Sequence, residues 1–120
     1  MDRRPIGIDL FAGAGGMSLG FEQVGFDIAA AVELDPIHAA VHHFNFPHTT
    51  VFAESIVGLT GQELRERAGL GRKSVDVVFG GPPCQGLFAY QRAFVRRRQK
   101  TLMFNFVRFV FGKQQTLSYM

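Results

Sequence analysis

With 120 residues and 47% hydrophobic side chains, the chain is long enough for one domain with a buried core and too apolar to be disordered. A single cysteine excludes an intramolecular disulfide framework, and no apolar run reaches the roughly 20 residues that a bilayer-spanning helix needs. The net charge of +3 joins two unlike parts, because all 10 acids lie in residues 1–86 while 7 of the 13 Lys and Arg lie in residues 87–120. Asp9 interrupts the first apolar run, so the N-terminus does not read as a signal peptide. The expectation is a soluble cytoplasmic protein, nucleoid-associated if bacterial, with no membrane contact.

The apolar run Ile6–Leu10 predicts a buried strand that stops at a glycine-rich turn. Met17–Val24 reads as a helix ended by Gly25. Ile28–Val32 is a second strand, and Pro36 suits the first turn of a helix running to Pro47. Thr50–Phe52, Gly61–Ala68 and Val75–Phe79 follow as strand, charged helix and strand, and Leu102–Phe111 as a last helix. Strands alternating with helices imply an α/β fold, a parallel sheet covered on both faces. Ligands of such sheets bind beyond the carboxyl ends of the strands, and the unusual loops here all follow strands.

Two loops carry chemistry. In "DLFAGAGGMSLGFEQVGF", Asp9 to Phe26, the glycines Gly13, Gly15 and Gly16 allow a tight turn and close approach of a ligand. The helix that follows points free N–H groups at the same place. Glu33 ends the second strand at about the distance from the glycines where an acid can accept hydrogen bonds from ribose hydroxyls; the alternative is a solvated carboxylate. In "GGPPCQG", Gly80 to Gly86, Pro82 and Pro83 stiffen a strand-end loop and hold Cys84 forward as a positioned nucleophile requires.

Together "DLFAGAGGMSLGFEQVGF", "VELD" and "GGPPCQG" resemble the N-terminal part of DNA (cytosine-5-)-methyltransferases, over about residues 5–86. The resemblance implies a Rossmann-like S-adenosylmethionine-dependent methyltransferase fold, incomplete here, with the whole of 1–120 belonging to the catalytic domain. It implies a cofactor site of Asp9, Phe11, Ala12, Gly13, Gly15, Gly16, Glu33, Leu34, Glu54, Ser55 and Pro82, with Phe11 against the adenine and Glu33 on the ribose. It also implies that Cys84 attacks C6 of a cytosine flipped out of double-stranded DNA, with Pro83, Gln85 and Gly86 on the substrate side. The family usually has an aspartate where this chain has Ser55 beside Glu54.

The family pattern breaks after Gly86 and returns at "TLMFNFVRFV". Read one base later with permissive codons, residues 87–100 encode a Phe-Ser and an Asp-Ala-Arg-Asn of the family type, which points to a compensated frameshift. The competing reading makes Arg96, Arg97 and Arg98 a phosphate-binding patch, with Phe88, Tyr90 and Phe94 stacking on bases. The target-recognition region and the C-terminal strand–helix pair of the family have no counterpart. A truncated enzyme is therefore expected, and a non-catalytic remnant or one half of a split enzyme, complemented by a C-terminal half, is the alternative. An unrelated dinucleotide-binding domain is disfavoured, since "GGPPCQG" has no task there. His38 and His42, spaced i, i+4, lack a third ligand, so no metal is expected and the four histidines are read as an exposed helix face.

Overall fold

The computed structural model describes residues 3–81 and the pair Ser118–Tyr119. In chain order the elements are β1 (Ile6–Asp9), α1 (Gly16–Gln23), β2 (Asp27–Val32), α2 (Pro36–Asn45), β3 (Thr50–Phe52), α3 (Gly61–Arg67), β4 (Val77–Phe79) and β5 (Ser118–Tyr119). The expected helix Leu102–Phe111 and the segment 87–100 lie outside the described residues.

The strands form one sheet in the order β3-β2-β1-β4-β5, with every neighbouring pair parallel. From β1 the chain steps outward through β2 to β3, then crosses back to place β4 on the other flank. The order reverses between β1 and β4, which is where an open parallel sheet leaves a crevice at its carboxyl edge. Here the backbone N–H of Leu10 donates to the Phe79 carbonyl at 2.9 Å. The exit of β1 is thereby fastened to the exit of β4.

Alternation along the strands sorts the side chains into two layers. Ile6, Ile8 and Val78 join Leu64 of α3 in the larger apolar cluster, whereas Val77 and Phe79 pack with Ile28 and with Phe21 of α1. Phe21 lies flat on Phe79, ring centroids 4.1 Å apart. So α3 covers one face and α1 the other. The pairing of β2 with β1 shifts by one residue, from Gly7↔Ile28 to Ile8↔Ala30. That shift lets Ile28 face α1 while Ala30 and Val32 face α3.

Local chemistry explains the helices. Asp35 caps α2, its Oδ1 accepting from Ile37 N at 2.8 Å, and Pro36 takes the first helical position. Thr60 caps α3 by accepting from Glu63 N at 3.0 Å. α1 starts without a side-chain cap, from Gly15 at φ 109°. Among the described residues no helix is long and apolar enough to cross a membrane.

The histidines require a correction. His38, His43 and His48 are exposed as expected, but His42 is fully buried. The inward side of α2 is Ala39 and His42, continued by Phe46 at its C-cap, while Ile37, Val41 and Phe44 point to solvent. Burial of an imidazole is tolerated because Ser18 Oγ lies 3.1 Å from its Nε2.

Candidate cofactor site at the carboxyl edge

The loop after β1 is held from below and left open above. Gly13 (φ 54°) and Gly15 (φ 109°) adopt left-handed conformations that non-glycine residues rarely take. A Cβ on Gly15 would collide with the Phe46 ring, whereas one on Gly13 or Gly16 would meet nothing within 4 Å. The loop thus presents bare backbone on its free side, a cradle that a Cβ would fill.

Glu33, half-buried at the end of β2, is pinned across this loop. Its Oε1 accepts from Gly13 N at 2.7 Å and its Oε2 from Asp35 N at 2.9 Å. Ala12 N donates to the Val32 carbonyl at 3.0 Å, so the β1 loop and the end of β2 move as a unit. One carboxylate and a row of glycine backbone at a sheet switch point suit a nucleoside with vicinal hydroxyls. The residues present therefore fit S-adenosylmethionine. Ala12 is buried, Phe11 is half-buried against the larger core cluster, and Leu34 is exposed beside Glu33.

Asp9 lies beneath the loop rather than on it. It is 1% exposed, and its Oδ2 accepts from Ser18 Oγ at 2.8 Å while Oδ1 has no hydrogen-bond partner. Burial pushes its pKa up to about 6, with the Ser18 hydrogen bond opposing and Glu33 adding to the rise. Glu54 turns to α3: Arg67 donates to both of its oxygens, at 3.0 and 2.8 Å, and holds its pKa below the usual carboxylate range. Ser55 Oγ accepts from Val57 N at 3.0 Å in its own turn. The structure thus gathers the glycine loop and Glu33, and gives Glu54 and Ser55 other partners. Pro82, Pro83, Cys84, Gln85 and Gly86 lie outside the described residues; the chain reaches them through Gly80 and Gly81, directly beyond Phe79.

Sequence reasoning did not single out Ser18, Asn45 or Phe46, and it considered His42 only as a metal ligand or an exposed helix residue. Asn45 Nδ2 donates to the Ala14 carbonyl at 3.3 Å, so the last turn of α2 touches the loop as well. The available signal was the spacing of Ala39, His42 and Phe46 on one helical face, obscured by the apolar residues on the opposite one. Among the described residues no three His, Cys, Asp or Glu side chains gather as a metal site.

This sheet order, with its glycine loop and strand-end acid, is Rossmann-like, and the solved structures it superimposes on place it in the S-adenosylmethionine-dependent methyltransferase fold. A protein solved from an E. coli prophage and described as a DNA modification methyltransferase superimposes with a TM-score of 0.75 at 33% identity, over 88% of this chain and 28% of its own. The family model of the C-5 cytosine-specific DNA methylases matches residues 6–116. Type II methyltransferase M.XorII of Xanthomonas oryzae pv. oryzae is 53% identical over 107 residues, which span 89% of this chain and 25% of that protein. Type II methyltransferase M.HgiGI of Herpetosiphon aurantiacus is 37% identical over 108 residues, 89% of this chain and 81% of that protein. The chain belongs to the C-5 cytosine-specific DNA methylase family.

Proposed function

We propose that the chain binds S-adenosylmethionine over the glycine loop and serves the methylation of C5 of cytosine in double-stranded DNA. The observation that carries the cofactor half is Glu33, fixed by two backbone N–H groups so that it stays beside the open glycine backbone. In this reading Glu33 accepts from the ribose hydroxyls, Phe11 lies against the adenine, and the exposed loop backbone at Ala14 and Gly16 receives the polar end. When bound, S-adenosylmethionine supplies a methyl group on a positively charged sulfur.

The DNA half rests on family membership and on Cys84, five residues after the end of β4 in sequence. C5 of cytosine is a weak nucleophile. A bond from the Cys84 thiolate to C6 pushes electron density onto C5, which takes the methyl group. Loss of the C5 proton then expels the thiolate and restores the ring. A base in the duplex stack is out of reach of any loop, so the cytosine is flipped at a cost of a few kcal/mol. Pro82 and Pro83 hold the thiol forward, and Gln85 and Gly86 border the base. The match to this chain covers 25% of M.XorII, so turnover is proposed for this chain together with a complementing C-terminal half.

Calorimetric titration of the purified chain with S-adenosylmethionine tests the first half. Binding that Glu33→Ala abolishes supports it, and no binding by a folded chain overturns it. For the second half, DNA carrying 5-fluorocytosine, whose C5 substituent cannot leave as a proton does, is offered with the cofactor and the complementing half. A covalent adduct absent in Cys84→Ser is expected. Cofactor binding without an adduct instead identifies a non-catalytic binding remnant.

A further inference from the structure

We propose that Ser18 and His42 are positioning residues for the cofactor loop: a buried chain of hydrogen bonds from β1 through α1 to α2 seats the last turn of α2 beneath Ala14 and Gly15. The loop's role in holding cofactor rests on the function proposed above, but the positioning does not.

The chain runs from Asp9 Oδ2 to Ser18 Oγ at 2.8 Å and on to His42 Nε2 at 3.1 Å. All three side chains are at most 1% exposed, so water cannot stand in for a missing partner. Ser18 has one hydroxyl hydrogen, which it gives to the Asp9 carboxylate. Its oxygen therefore accepts from His42, which requires a proton on Nε2. Burial holds the imidazole pKa below its ordinary value, so the ring is neutral and the bare nitrogen is Nδ1. Nδ1 has no hydrogen-bond partner, which costs less for a lone pair than for an N–H.

What this chain supports is the wall under the loop. A Cβ on Gly15 would stand 3.2 Å from His42 Cδ2 and collide with Phe46, so Gly15 rests directly on both rings. The His42 and Phe46 ring centroids are 4.8 Å apart. Asn45, between them in sequence, donates to the Ala14 carbonyl. Fixing His42 thus fixes three successive supports, and the loop's free backbone inherits their position. No other described polar side chain joins all three elements at this depth.

The test uses the whole chain without ligand, by amide hydrogen exchange and by 15N NMR of the imidazoles. Expected in the unmutated chain is a neutral His42 protonated at Nε2, with the Gly15 amide, which donates to the Ala12 carbonyl at 3.1 Å, protected. In Ser18→Ala, exchange of the Gly15 amide rises about tenfold while α3 is unchanged, and His42 loses its single tautomer. Equal acceleration in the loop and α3 would reduce Ser18 to a packing residue and overturn the proposal. So would a His42 protonated at Nδ1 in the unmutated chain, a result that needs no variant to fold. Cofactor titration of the same samples separates the two readings. Expected loop behaviour without binding by the unmutated chain refutes the cofactor assignment alone; binding that Ser18→Ala leaves unchanged refutes the positioning alone.

Discussion

On the face covered by α3, apolar side chains from Ile6 to Val78 form one continuous cluster. On the face covered by α1 and α2, the cluster shrinks to Ile28, Val77 and Phe79 with two partly buried phenylalanines, and Asp9, Ser18 and His42 are buried nearby. The first face is held by area removed from water, which does not depend on direction. The second gives up some of that area for hydrogen bonds that do, and those bonds reach the glycine loop. Changes on the α3 face should therefore alter stability and leave the site alone, while changes on the other should alter the site.

Leu64→Ala tests the first half of that contrast and should have the largest effect. Removing a fully buried leucine costs about 3 kcal/mol, read as a lower urea midpoint, with cofactor affinity unchanged in the molecules that remain folded. A loss of affinity at full folding would break the division. Asp9→Asn comes next, and its signature is pH dependence. The folded pKa of about 6 lies above the ordinary 3.8, so this group favours folding below pH 3.8 and loses that contribution as pH rises through 6. The rise corresponds to roughly 3 kcal/mol at neutral pH, before the loss of a good acceptor for Ser18 is counted. Urea melts should show Asn gaining on Asp between pH 4 and pH 7; parallel curves would mean that Asp9 is not buried as described.

Glu33→Gln sharpens the contrast on the site itself. The amide keeps one acceptor of two, so Gly13 N or Asp35 N loses its bond, at a cost of about 1 kcal/mol. Cofactor affinity measured by calorimetry should fall about tenfold or more, out of proportion to the stability change. The smallest effect belongs to Glu54→Ala. Its pair with Arg67 is well exposed, and such pairs hardly move an unfolding midpoint. Unchanged cofactor affinity would confirm that Glu54 serves α3, and a clear drop would return it to the cofactor site.

Much of the fold was legible because its signals are local. Pro36 after Asp35, the glycines after Asp9 and the short apolar runs place seven elements within about two residues of where they stand. Glu33 was legible for the same reason, as the acid that closes the strand following the glycine loop. His42 was not, since its burial depends on the distant Ser18 hydroxyl and on which side of a helix with apolar residues on every face turns inward. The register shift between Gly7 and Ile8 has no local mark either, because β2 reads as an unbroken apolar run through Ala29, Ala30 and Ala31. The partners of Glu54 depended on where α3 would lie.

The reversal of strand order also fixes a sequence of events in time. Ile6 meets Asp27, and Ala30 meets Thr50, each across a single intervening helix, so β1, β2 and β3 can pair while later residues are still being synthesised. Gly7 must wait for Val77, which the ribosome adds only after all of α1 through α3. The glycine loop therefore acquires its floor early and its far wall late. Until β4 docks, one edge of β1 is an unpaired strand, and a nascent chain stalled before Val77 would expose it to any other strand within reach.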